Sequence, residues 1–136
     1  MKVSCGIIVE NFNNEILGCH PFGRKDGLLD IPKGGNEKNE SYLETAIREL
    51  YEETGLILSG NLLEDCGLFD YNSEKKLYIF KTKINYKLSK LKCESFFELD
   101  GKMVPEMIGF ESVPKNKIAD KFFKKLNPII LKLVGE

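Results

Sequence analysis

Residues Pro32–Leu56 read PKGGNEKNESYLETAIRELYEETGL, and Glu49, Glu52 and Glu53 crowd together just ahead of Gly55. The C-terminal end of a helix carries partial negative charge and favours Lys or Arg. Like charges three and four residues apart also repel on a helix surface. A segment that breaks both rules either tolerates a small cost or holds something positive.

The segment has clear helix ends. Ser41 and Glu44 form an S-x-x-E capping box, which starts the helix at about Tyr42. Gly55 suits the position just past its end. Leu43, Ala46, Ile47 and Leu50 give it one apolar stripe. At roughly 100° per residue, Glu49, Glu52 and Glu53 lie together beside that stripe. Arg48 has the spacing to pair with Glu44 and Glu52, but one Arg does not neutralise the group. Carboxylates converging on a small volume suit a hard divalent cation, Mg²⁺ or Mn²⁺, bound through oxygen. The plainer alternative is a solvated acidic face. Before the helix, Pro32, Gly34 and Gly35 predict a flexible loop, and Lys33 has the chemistry to meet a phosphate. No P-loop pattern occurs, and a surface-loop lysine is the alternative.

Working outward, the chain has 136 residues, the length of one domain spanning 1–136. It is 42% hydrophobic and 30% charged, so it suits a globular fold with one core. Lys plus Arg number 20 against 21 Asp plus Glu, which gives no general case for binding nucleic acid or an anionic membrane. No apolar run is long enough to span a membrane, and the N-terminus lacks a signal-peptide pattern; a cytoplasmic protein is expected. Cys5, Cys19, Cys66 and Cys93 form no CxxC pair and read as reduced cysteines. His20 is the only histidine, so zinc binding and Ser-His or Cys-His catalysis find no support.

Strand candidates are VSCGIIV (3–9), EILGCH (15–20), LLDI (28–31), LLEDCGLFDY and KLYIFKTKI around the turn NSEK, KCESFFEL, and MIGFESV (107–113). Asp100-Gly101 turns the chain towards KMVPE. The tail from Lys115 reads as an amphipathic helix with a solvated Lys face, interrupted by Asn127-Pro128. Several strands with one central and one terminal helix predict a layered α/β or α+β domain.

Gly34, Glu40, Arg48-Glu49-Leu50, Glu52-Glu53 and Gly55-Leu56 together resemble the Nudix box, G-x5-E-x7-R-E-U-x-E-E-x-G-U, with U aliphatic. Every defined position matches. The resemblance implies a Nudix-type α/β/α sandwich with a mixed β-sheet, in which the box forms a loop-helix-loop. It implies Glu52 and Glu53 as metal ligands, Glu49 as a further ligand or close support, and the Gly34 carbonyl as another. Arg48 would orient the glutamates and Glu40 would brace the loop-helix-loop.

It further implies Mg²⁺- or Mn²⁺-dependent hydrolysis of a nucleoside diphosphate linked to another group. The physics fits, because metal ions neutralise a multiply charged pyrophosphate and lower the pKa of an attacking water. A dinucleoside polyphosphate is the expected small-molecule substrate. Tyr71 stands near where a Tyr marks many hydrolases of that kind, and a core role is its alternative. The RNA 5′ end is possible, with the near-neutral charge against long RNA; ADP-ribose and nucleoside triphosphates follow. The contrasting class is a silent nucleotide-sensing module, which the intact box glutamates oppose. Phe69, Tyr78, Phe80, Phe96, Phe97 and Phe110 are candidates to stack on a base. Glu106, in a P-E segment similar to one carried by several Nudix hydrolases, is expected to add a carboxylate as ligand or base. Glu98, Glu94 and Asp100 are its rivals. Oligomeric state is not readable from the sequence.

Overall fold

The computed structural model describes residues 1–135. Strand β1 (Lys2–Glu10) lies at the centre because its side chains are apolar on both faces. Successive side chains of a strand point to opposite sides. Cys5, Ile7 and Val9 pack with Ala46, Leu50 and Phe80, while Ile8 packs with Leu29, Ile31, Leu77, Ile79 and Phe122. A strand buried on both faces appears in sequence as the unbroken run CGIIV.

The sheet is built around this strand. Its order is β4 (Glu64–Asp70), β5 (Lys75–Lys83), β1, β2 (Glu15–Pro21), β8 (Met107–Pro114). β1 and β5 run parallel from Lys2↔Lys75 to Glu10↔Lys83, whereas β4–β5 and β2–β8 are antiparallel, so the sheet is mixed. The other edge of β1 is shared. β2 pairs with it at Glu10↔Ile16, and β3 (Lys33–Gly35) takes Ser4, Cys5 and Gly6.

Helix α1 (Tyr42–Thr54) covers one face of the sheet with Ala46 and Leu50, both fully buried. Burying a leucine contributes roughly 1.5–3 kcal/mol. Helices α2 (Ile118–Lys121) and α3 (Asn127–Val134) cover the other face through Ile118, Ile129 and Ile130. The result is the expected α/β/α sandwich. A separate hairpin of β6 (Phe96–Leu99) and β7 (Lys102–Pro105) turns at Asp100-Gly101 and leads into β8. The four cysteines are free thiols. Among the described residues, no helix is long and apolar enough to cross a membrane.

Three local expectations change. Lys33-Gly34-Gly35 is a strand, not a loop, because β1 leaves three residues of its edge open beside it. LLDI supplies only bridging pairs: Asp30 and Cys19 exchange backbone bonds of 2.8 and 2.9 Å, and Leu29 bridges to Phe122. The C-terminal tail breaks over residues 122–126, ahead of Asn127-Pro128. Pro128 sits in the first turn of α3, where a missing N–H costs no helical bond.

Candidate active site

The acids of α1 hold a defined register because both helix ends are fixed. Ser41 Oγ accepts the Glu44 N–H at 3.0 Å, and the Glu44 carboxylate accepts the Ser41 N–H at 2.8 Å. At the other end Gly55 adopts φ 80°, a conformation glycine takes without a Cβ clash, and donates to the Tyr51 carbonyl at 2.8 Å.

Arg48 is the hub of the site. Its Nε and Nη2 grip the two oxygens of Glu40 at 2.7 and 3.0 Å. Its Nη1 donates to Glu49 at 2.9 Å and to Glu52 at 3.2 Å, and its Nη2 also reaches the Gly35 carbonyl at 3.2 Å. The expected pairing with Glu44 does not form, because the capping box engages that carboxylate. The Arg48 bonds, with help from the Thr45 hydroxyl, hold the Glu40 carboxyl down at a pKa of about 2. The same contacts raise the Arg48 guanidinium above its already high value.

Glu53 turns the other way. It is 3% exposed, and its carboxylate accepts the Lys33 backbone N–H at 3.3 Å. Burial pushes its pKa up to about 9, and the charges of Asp30 and Glu49 add to the rise. Lys33, the expected phosphate contact, also faces inward. Its ammonium lies 3.0 Å from Asp30 and 5.7 Å from the centre of the Tyr71 ring. Burial alone disfavours that ammonium, but Asp30 holds it charged with its pKa above the usual value. Gly34 lies directly under Glu49, and a Cβ there would overlap the Glu49 carboxylate.

The three box glutamates lie near one another, with Glu49 and Glu52 on one Arg48 nitrogen and Glu49 close enough to Glu53 for its charge to be felt. Among the described residues, no group of three or more His, Cys, Asp or Glu is arranged to hold a metal ion. The reason is local: Arg48 Nη1 binds both Glu49 and Glu52, while Glu53 is drawn to the β3 backbone. The donor chemistry still fits a hard divalent cation. The donors are carboxyl oxygens beside β3, and the buried Glu53 is crowded by Asp30 and Glu49, a set of acids whose ionised forms a bound cation would favour. Burial raises the Glu49 carboxyl too; Arg48 opposes that, and Glu52 and Glu106 add to it.

Glu106 thus lies near enough to Glu49 for its charge to be felt. It is exposed, and Ser95 Oγ donates to its Oε1 at 2.8 Å. Of its rivals, Glu98 is an exposed residue of β6 and Asp100 sits in the hairpin turn at φ 52°. Glu94 meets α1 through its backbone, donating to the Glu52 carbonyl at 2.7 Å. Tyr71 is partly buried and lines a cleft of about 410 Å³ with Arg24, Phe123, Lys124 and Lys125, where Arg24 stacks 4.2 Å above the Phe123 ring. Tyr78, Phe80 and Phe110 pack in the cluster beneath α1, and Phe69 packs against the opposite cluster. Phe97 meets Phe22 edge-on at 5.5 Å, and Phe96 is 45% exposed.

Sequence reading missed Asp30, Thr45 and Ser95. Asp30 carried one signal, its i, i+3 spacing to Lys33. Thr45 and Ser95 carried none, since each matters through a partner that folding brings close.

The family model for the NUDIX domain matches residues 1–126. The 17.7 kDa protein of the e-segB intergenic region of Enterobacteria phage T4 is 38% identical over 126 residues, covering 85% of this chain and 83% of its own. An RNA pyrophosphohydrolase of Pelagibacter ubique is 37% identical over 78 residues, 57% of this chain; the match spans only 49% of that relative. The MutT protein from Methanosarcina mazei Go1 superposes with a TM-score of 0.69 at 20% identity, covering 96% of this chain and 91% of its own, a likeness of fold. With the family match spanning most of the chain and the box geometry seated between β3 and α1, the protein belongs to the NUDIX domain family.

Proposed function

We propose that this Nudix pyrophosphohydrolase cleaves a pyrophosphate bond in a nucleoside diphosphate joined to a second nucleotide, a dinucleoside polyphosphate, as a single cytoplasmic domain spanning residues 1–136. The observation that carries the reading is the excess of carboxylates at the junction of β3 and α1, braced by the single guanidinium of Arg48. Glu49, Glu52, Glu53 and the Gly34 carbonyl are the proposed holders of Mg²⁺ or Mn²⁺, with Glu106 as a further ligand or as the base. Such an ion, when bound, supplies charge neutralisation to the pyrophosphate and acidifies the attacking water.

The chain's own groups do the rest. Arg48 keeps Glu49 and Glu52 oriented, and its fork to Glu40 keeps Arg48 itself in place. As water adds to phosphorus, the bridging P–O bond breaks and Glu106 takes the proton of the water. Lys33 holds Asp30 and the floor under Glu53. Tyr71, with Arg24, Lys124 and Lys125, offers aromatic and cationic groups to the remaining part of the substrate.

A second reading, the 5′-triphosphate end of RNA, is favoured by the likeness to an RNA pyrophosphohydrolase over just over half of this chain. The test is a panel of dinucleoside polyphosphates, ADP-ribose, nucleoside triphosphates and 5′-triphosphate RNA, assayed with Mg²⁺ and with Mn²⁺. Metal-dependent turnover that is fastest on dinucleoside polyphosphates supports the first reading, and preference for the RNA selects the second. No turnover above blank with either metal leaves the nucleotide-sensing module.

A further inference from the structure

We propose that Ser95 is a positioning residue for the hydrolysis, holding Glu106 towards the box carboxylates, and that residues 92–95 fasten it to the end of α1. The proposal rests on the reading of Glu106 as ligand or base.

The last carbonyls of a helix have no partners within it. In α1 two of them are met by this one extended segment. Lys92 N–H donates to the Thr54 carbonyl at 3.0 Å, and Glu94 N–H to the Glu52 carbonyl at 2.7 Å. Between them the buried Cys93 thiol points at the Glu52 and Ser95 carbonyls, at 3.6 and 3.2 Å, and its sulfur accepts the Met107 N–H at 3.4 Å. Ser95 then closes the connection twice. Its carbonyl accepts the Glu106 N–H at 2.9 Å, and its hydroxyl donates to Glu106 Oε1 at 2.8 Å. Hydrogen bonds joined by the backbone of residues 94–95 therefore connect the Glu52 carbonyl to the carboxylate of Glu106.

The hydroxyl is the step that has a chemical consequence for Glu106. Glu106 is exposed, and an exposed glutamate samples several rotamers. A donor on one oxygen restricts that freedom and leaves the other oxygen's lone pairs free for a metal ion or a water proton. The donor is itself tied to α1, so Glu106 and Glu52 keep a common frame. Misplacement by about 1 Å at a reacting centre costs up to about 10²-fold in rate.

The test is a double-mutant cycle with Ser95→Ala and Glu106→Gln. Ser95→Ala is expected to lower kcat about tenfold at little change in KM, Ser95→Thr to restore it, and Ser95→Ala to cost nothing further in the Glu106→Gln enzyme. An equal loss in both backgrounds makes Ser95 merely structural and overturns the proposal. A Glu106→Gln enzyme within a few-fold of wild type is a different failure, that of the Glu106 reading itself. A second readout needs no metal. Side-chain ¹³C relaxation of Glu106 in the metal-free protein is expected to be rigid in wild type and Ser95→Thr and mobile in Ser95→Ala; unchanged mobility in Ser95→Ala also overturns the proposal.

Discussion

Glu40 and Arg48 meet as a fork, with Nε on one carboxylate oxygen at 2.7 Å and Nη2 on the other at 3.0 Å. The contact joins the loop before α1 to the second turn of the helix. It lets one guanidinium face Glu49 and Glu52 without swinging between them, because its other edge is already engaged.

The fork has a pH signature. Glu40 ionises at about pH 2 in the fold, against 4.5 for an unperturbed glutamate. A depressed carboxyl stabilises the fold fully above the unfolded pKa and loses that contribution as pH falls through the folded one. Stability that depends on Glu40 is therefore lost between about pH 4.5 and pH 2. Denaturant midpoints measured across that window are expected to fall more steeply for wild type than for Glu40→Gln. Parallel curves would show that the fork contributes nothing to stability.

Arg48→Lys keeps the charge and loses the planar fork. A lysine ammonium is a point charge and does not satisfy Glu40, Glu49 and Glu52 in one geometry. The expected result is a drop of about tenfold or more in kcat, with a lower metal-free melting temperature than wild type. A variant that matches wild type in both measurements would mean that charge alone is what Arg48 supplies.

Glu52→Gln is expected to reduce kcat by about 10²-fold while leaving the metal-free fold intact. Arg48 keeps its bonds to Glu40 and Glu49 in that variant, and one source of repulsion beside Glu49 is gone. Kinetics at saturating Mn²⁺, read beside thermal melts without metal, decide the matter. Retained activity removes Glu52 from the proposed ligand set.

Gly34→Ala tests the close approach of β3 to α1. Its Cβ would overlap the Glu49 carboxylate, which is the far end of a flexible side chain and moves aside. Strand pairing with Cys5 survives that movement. Activity is expected to fall at least tenfold with only a small loss of melting temperature. A fully active Gly34→Ala enzyme would show that the observed place of Glu49 has no bearing on catalysis.

What the sequence by itself determined was local. Ser41, Glu44 and Gly55 set both ends of α1, since a cap needs only neighbours within one helical turn. The compact β-branched run at 3–9 marked a strand, and the spacing of the box acids together with Gly34 and Glu40 marked the family. The tertiary structure decided where each carboxylate points. The helix alone places Glu49, Glu52 and Glu53 side by side, yet β3 draws Glu53 into the interior and Arg48 takes the other two. Turn-favouring glycines concealed β3, because its strand character comes from the open edge of β1, far away in sequence. Lys33 looked free until Asp30 was buried beside it. In each case the deciding energy is desolvation or a charge pair between groups that meet only when the chain folds, and such energies leave no periodic trace in the sequence.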